Sequence, residues 1–227
     1  MKHEIIGTTM QALVVKLEPG EQVYTESGAM AWMSDTVQME SGFRGGLLGT
    51  VGRWLAGESL AMTTFTAGKR GGEVAFATAV PGKVIAVPMQ RTRGLICQKG
   101  SFLCAEPGVE MKIHLKRRLF AGLFGGEGFV LERMSGQGMA FFEVDGEAVE
   151  KVLAPGETLL VDTGHIAMFD ESVEFDITTV KGVKNWLLGG EGIFLASLRG
   201  PGRVWLQTMP FINLVAQVAS SLPRGGD

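Results

Sequence analysis

Among its 227 residues the chain has two cysteines, three histidines and a single tyrosine. Each scarcity excludes a class of protein. Cys97 and Cys104 are too few to staple a chain of this length, so no disulfide scaffold is expected and both read as reduced thiols. His3, His114 and His165 stand apart, with no His-x-His pair, whereas imidazole-rich catalytic metal sites need two or three. No metal and no cofactor are expected. No run approaches the roughly 18 uncharged apolar residues of a membrane-spanning helix. The opening Met1-Lys2-His3-Glu4-Ile5-Ile6-Gly7 lacks the charged-then-apolar layout of a signal peptide. Basic charge is not in excess: a net charge of −3 and a pI near 5.7 argue against nucleic-acid binding. No Gly-x-Ser-x-Gly elbow appears, and no Gly-Lys-Ser/Thr closes the glycine-rich stretches Gly45-Gly46 and Gly125-Gly126-Glu127-Gly128. These absences point to a soluble, non-enzymatic protein.

What is abundant is glycine and repetition. Glycine, at 33 of 227 residues, is about twice its usual ~7% share, and without a collagen period it suits many tight turns. Gly28-Ala29-Met30-Ala31-Trp32-Met33-Ser34-Asp35-Thr36-Val37-Gln38-Met39 recurs in pattern at Gly100 to Met111 and at Gly164 to Phe175. A second signature follows each copy, beginning at Gly57-Glu58, Gly126-Glu127 and Gly190-Glu191. A third begins at Gly72, Gly138 and Gly202. Copies two and three keep a 64-residue offset (Gly100 to Gly164, Gly126 to Gly190, Gly138 to Gly202). Three signatures in one order imply a single body of three units, at about 1–80, 81–154 and 155–210, with a tail at 211–227.

Strict alternation of apolar and polar residues in Val109 to Lys116, Val173 to Ile177 and Val37 to Glu40 predicts strands with one wet face. Further strands are expected at Leu60 to Phe65, Phe129 to Met134 and Ile193 to Leu198. Val74 to Thr78, Ala140 to Val144 and Val204 to Thr208 complete the set. Pro19-Gly20, Pro81-Gly82 and Pro155-Gly156 are expected as turns at equivalent points. The tail from Phe211 to Leu222 has helix-compatible apolar spacing and is expected as a short packed helix. The fold class is all-β, built of antiparallel sheets.

The repeated Gly-Glu-x-apolar and Gly-x-apolar signatures, the glycine-rich loop before Gly57-Glu58 and the run from Gly200 to Thr208 resemble a known family over roughly residues 5 to 210. It is the mitochondrial-biogenesis "altered inheritance of mitochondria" family, found in bacteria and in fungal mitochondria. The resemblance implies a fold like the tryptophan RNA-binding attenuation protein, a short, sandwich-like double-stranded β-helix, here in three tandem copies. It also implies homo-oligomers, a trimer presenting nine units as a ring being the expected form. Fungal members are associated with inner-membrane organisation, which suggests a scaffold. Without an Arg-rich, Ser-rich presequence, the chain is expected in a bacterial cytoplasm, with peripheral membrane contact as a variant of that reading.

Few residues invite a chemical role. Glu58, Glu127 and Glu191 recur once per unit, which favours a structural turn role over catalysis. The basic run Lys112, His114, Lys116, Arg117, Arg118 is able to meet phosphates of RNA or lipid headgroups. It is absent from units one and three, so a solvated face is the leading reading. Phe43, Trp54, Phe120, Phe124 and Trp186 sit in glycine-rich loops, with Arg44, Arg53 and Lys184 nearby. Three roles are open to them: a subunit contact, caps on the ends of each unit, or a rim against a membrane. The sequence therefore predicts a homo-oligomeric scaffold, with a binding module for a small ligand or RNA as the first alternative and an enzyme as the second.

Overall fold

The structure, a computed structural model, describes residues 1–26, 28–43, 61–117, 129–179 and 194–221. Strand β1 (Lys2–Ile6) precedes eighteen others that pair in a recurring order. The first set is β2 (Ala12–Leu17), β3 (Gln22–Glu26), β4 (Met30–Met33), β5 (Val37–Phe43), β6 (Ala61–Ala67) and β7 (Gly72–Ala77). The second is β8 (Gly82–Pro88), β9 (Leu95–Gln98), β10 (Phe102–Ala105), β11 (Val109–Arg117), β12 (Phe129–Gly136) and β13 (Met139–Asp145). The third is β14 (Ala148–Leu153), β15 (Thr158–Asp162), β16 (Ile166–Asp170), β17 (Glu174–Thr179), β18 (Phe194–Arg199) and β19 (Gly202–Gln207). A C-terminal helix, α1 (Phe211–Ser221), follows. In every set the first, sixth and third strands pair in that order, as do the second, fifth and fourth. The pairing groups β14 with the third set. The fold is predominantly β, without a closed barrel among the described residues.

Sets join by edge pairing. β3 pairs antiparallel with β10, and β9 with β16, fusing half-sheets into two six-stranded sheets, β5-β6-β3-β10-β13-β8 and β11-β12-β9-β16-β19-β14. A four-stranded sheet, β1-β2-β7-β4, and a three-stranded sheet, β15-β18-β17, remain at the two ends.

The apolar stretch after each repeat glycine is a strand without simple alternation, and a bulge is the reason. Register shifts fall between Met30 and Trp32, Phe102 and Cys104, and Ile166 and Met168, at equivalent places in β4, β10 and β16. An extra residue re-aims the side chains on either side of it. In β10, Phe102 and Ala105 pack into one core cluster while Leu103 and Cys104 pack into another, so the strand is buried on both faces. A strand covered on both sides reads as a continuous apolar run.

The polar turn after that strand has one design in three copies. The side chains of Ser34, Glu106 and Asp170 accept the backbone N–H of Glu73, Met139 and Arg203, at 3.0, 2.7 and 2.9 Å. Their carbonyls accept the N–H groups of Val37, Val109 and Val173. The third signature's glycine lies against this turn. A Cβ on Gly138 would stand 2.6 Å from Glu106 Oε2, and one on Gly202 would stand 2.6 Å from Val173 Cγ2.

Two expectations change. Pro19-Gly20 and Pro155-Gly156 are equivalent turns, after β2 and β14, with Gly20 and Gly156 at φ 80° and 79°. Pro81-Gly82 is not their counterpart: it joins β7 to β8, and a short 3-10 turn at Met89–Arg91 follows β8 instead. The alternation read in Val109 to Lys116 is also interrupted, by a register shift between Ile113 and Leu115 that leaves His114 as the extra residue.

Candidate functional site

The basic run does not form a bare cationic strip where the structure describes it. Lys112 Nζ lies 3.1 Å from Glu110 Oε2 on the exposed face of β11. His114 lines a small cavity of about 170 Å3 together with Glu171 and Asp176 of the third set. Arg133 donates to both Glu171 oxygens, at 2.7 and 2.9 Å, and holds that carboxyl below its ordinary range, with His114 adding to the effect. The side chains of Lys116 and Arg117, and all of Arg118, lie outside the described residues. So do Trp54, Phe120, Phe124, Trp186 and the side chain of Phe43, with Arg44, Arg53, Lys184, Glu58, Glu127 and Glu191.

The remaining chemistry-bearing residues have structural settings. Cys97 and Cys104 are free and fully buried, and burial pushes both thiols well up, away from the reactive thiolate. His3 packs edge-on against Phe141, and His165 Nδ1 is 2.8 Å from the Gln207 carbonyl. Among the described residues no three His, Cys, Asp or Glu side chains cluster as metal ligands would. Nor is any described helix long and apolar enough to cross a membrane.

What the structure adds is a pair of unmatched edges. β5, β11 and β17 end their sheets in every set, and β8 and β14 are alike in the second and third. β4 and β15 differ: their counterparts β10, β16, β3 and β9 are all interior strands, yet these two end their sheets. Their side chains differ accordingly. Trp32 is 43% exposed, Met33 36% and Leu160 55%. The residues at the corresponding positions of the two internal junctions, Met168, Ala105, Phe169, Tyr24 and Ile96, are at most 2% exposed. Sequence reasoning passed over these edges. The available signal was the apolar Trp32-Met33 and Leu160 at places whose repeats are core.

A cleft of about 640 Å3 opens between the turn after β9, strand β13 and helix α1, lined among others by Gln98, Ser101, Glu143, Asp145, Phe211 and Val215. Burial pushes the Glu143 carboxyl up to about 7, against the hydrogen bond that its Oε2 accepts from the Ala79 N–H at 3.0 Å. Asp145 is raised by burial as well and accepts the first N–H of α1, from Phe211, at 2.7 Å.

Comparison with known proteins decides the family. The profile of the mitochondrial biogenesis AIM24 family matches residues 3–209. The chain belongs to the AIM24 family. Within reach of this AIM24 chain is an uncharacterized protein of Streptococcus pyogenes serotype M6, 25% identical over 233 residues, covering 98% of this chain and 92% of that one. The X-ray structure of a Streptococcus pyogenes protein superposes with a TM-score of 0.78 at 22% identity, covering 97% of this chain and 99% of that one. At that identity the likeness carries the fold.

Proposed function

We propose that this AIM24-family protein is a non-enzymatic structural protein that works as a homo-oligomer, with a trimer as the working form. The observation that carries the reading is the pair of unmatched edges. A sheet edge presents a row of unpaired N–H and C=O groups, and one flanked by exposed apolar side chains is a template for another chain. In the finer form of this reading each strand set is a short double-stranded β-helix of the attenuation-protein kind, and a trimer presents nine of them in a ring. Its setting is the cytoplasm, with peripheral membrane contact through the loop aromatics Phe43, Trp54, Phe120, Phe124 and Trp186 as its outermost claim. Light scattering across a dilution series tests the core of it. The expected result is a concentration-independent mass of three times the 24.3 kDa chain. A monomer at every concentration overturns it.

A second reading, a binding module for a small molecule, is favoured by the cleft. Its volume lies within the ~300–1,000 Å3 of small-molecule sites, and it combines an apolar wall on α1 with a few converging acceptors. Native mass spectrometry of freshly purified protein, looking for a retained organic molecule, tests that reading. The RNA version of it has the net charge of −3 against it.

A further inference from the structure

The geometry points to a second copy of this chain as the partner of both open edges: β15 of one copy adds to β4 of the next, in the register that the chain already uses at its two internal junctions. This rests on the homo-oligomer reading and deepens it by naming the strands, their register and the polarity of assembly.

The register follows from the residue pairs at the two internal junctions. At the β9–β16 junction Cys97 faces Met168, Ile96 faces Phe169 and Leu95 faces Asp170. At the β3–β10 junction Tyr24 faces Ala105. Phe169 and Ala105 occupy the same place relative to their repeat glycines, Gly164 and Gly100, and Tyr24 and Ile96 are likewise equivalent. The two junctions therefore share one register. Carried to the third position, it pairs Leu160 with Met33, Val161 with Trp32 and Leu159 with Ser34. Leu160, Met33 and Trp32 are the large apolar residues left exposed on these strands where their counterparts are buried. The pairing would cover that apolar surface and satisfy both rows of edge amides and carbonyls.

The two edges are different surfaces, so the contact is head to tail rather than two-fold. Each copy offers β15 to one neighbour and β4 to the other. Such a contact makes a ring when its rotation closes and a filament when it does not. In either case the three-stranded β15-β18-β17 sheet of one copy becomes continuous with the four-stranded β1-β2-β7-β4 sheet of the next. That repeats between copies the fusion that builds both internal six-stranded sheets.

Directly opposed residues of an antiparallel pair have Cα atoms about 4.5–5.5 Å apart, within the reach of a disulfide. The test uses the full chain carrying Met33→Cys and Leu160→Cys. Both native thiols are buried, so the introduced pair is the one that a mild copper–phenanthroline oxidant reaches. Unoxidised protein is checked first by light scattering, which establishes that the variant folds and assembles as the parent does. On oxidation, non-reducing gels are expected to show a covalent ladder that ends at the native oligomer's mass. The off-register pair Met33→Cys with Thr158→Cys should cross-link at least tenfold more slowly. A disulfide confined to single chains would mean that the edges close within one molecule, and would overturn the proposal. A native oligomer that gives no cross-link in either pair would also overturn it, while leaving the homo-oligomer reading intact. A monomeric parent protein would remove both.

Discussion

The two junctions inside the chain do the same job with different chemistry. Where β9 meets β16, three residue pairs face one another, and the side chains behind them are apolar; Phe169 stacks on Phe175 with ring centroids 5.8 Å apart. Where β3 meets β10, only Tyr24 and Ala105 are paired in register. There the Tyr24 hydroxyl donates to the Val109 carbonyl at 2.9 Å, and the Thr25 hydroxyl donates to the Leu103 carbonyl, both in buried surroundings. Side-chain donors stand in for missing ladder bonds, as buried carbonyls require. The equivalents of Tyr24 and Thr25 are Ile96 and Cys97 in the second junction, and Leu160 and Val161 at the open edge. At these two positions the open edge resembles the ladder-paired junction, with no hydroxyl to stand in for ladder bonds.

Breaking the ladder-paired junction should cost most. Phe169→Ala removes a side chain that is 1% exposed and stacked, and is expected to lower unfolding stability by about 3–5 kcal/mol, read from denaturant melts. A loss below 1 kcal/mol would show that this junction is held elsewhere.

An effect of intermediate size belongs to the β3–β10 side, where the Glu143 N–H donates to the Ser101 carbonyl just ahead of β10. The folded state raises the Glu143 carboxyl from 4.5 to about 7. Between those values the folded protein binds more protons than the unfolded chain. Its stability therefore falls as pH rises through that window. Glu143→Gln keeps an acceptor for Ala79 and has no proton to lose. Discounted for the solvent that reaches Glu143, the variant should gain roughly 2 kcal/mol on wild type between pH 5 and pH 8. Asp145, raised in the same direction, keeps its own slope in both proteins. Parallel stability–pH curves for the two proteins would contradict this.

The smallest expected change sharpens the contrast directly. Tyr24→Phe leaves the ring in place and deprives the Val109 carbonyl of one donor, for a loss of about 1 kcal/mol by thermal or chemical unfolding. No measurable loss would mean that the first junction does not depend on its side-chain bonds.

Much of the fold was legible because the repeats carry it. The strands read at Val109 to Lys116, Phe129 to Met134 and Ala140 to Val144 stand within a few residues of their places, as does the C-terminal helix. The apolar stretches after Gly28, Gly100 and Gly164 were harder. Their bulges and two-sided burial remove the alternation by which a strand is recognised. Pro81-Gly82 resembled the other Pro-Gly turns in composition alone. Lys112 looked like a free cation although Glu110, two residues earlier on the same strand, pairs with it, and His114 did because Glu171 and Asp176 come to its cavity from another strand set. The cleft joins residues from Glu26 to Val215, a span that no local pattern signals.

By itself the sequence determined the recurring unit: where glycine must sit against a turn, where Ser34, Glu106 and Asp170 must accept a backbone N–H, and which faces are apolar. These are local requirements, satisfied within a few residues or by the nearest strand, and so each copy spells them out. Only the tertiary structure decided which edges find partners. Edge pairing depends on how successive units are placed, and a backbone edge presents the same N–H and C=O groups whatever its side chains. Trp32, Met33 and Leu160 are apolar like their buried counterparts in the other units, and only the placement of β4 and β15 at the ends of their sheets leaves them at the surface.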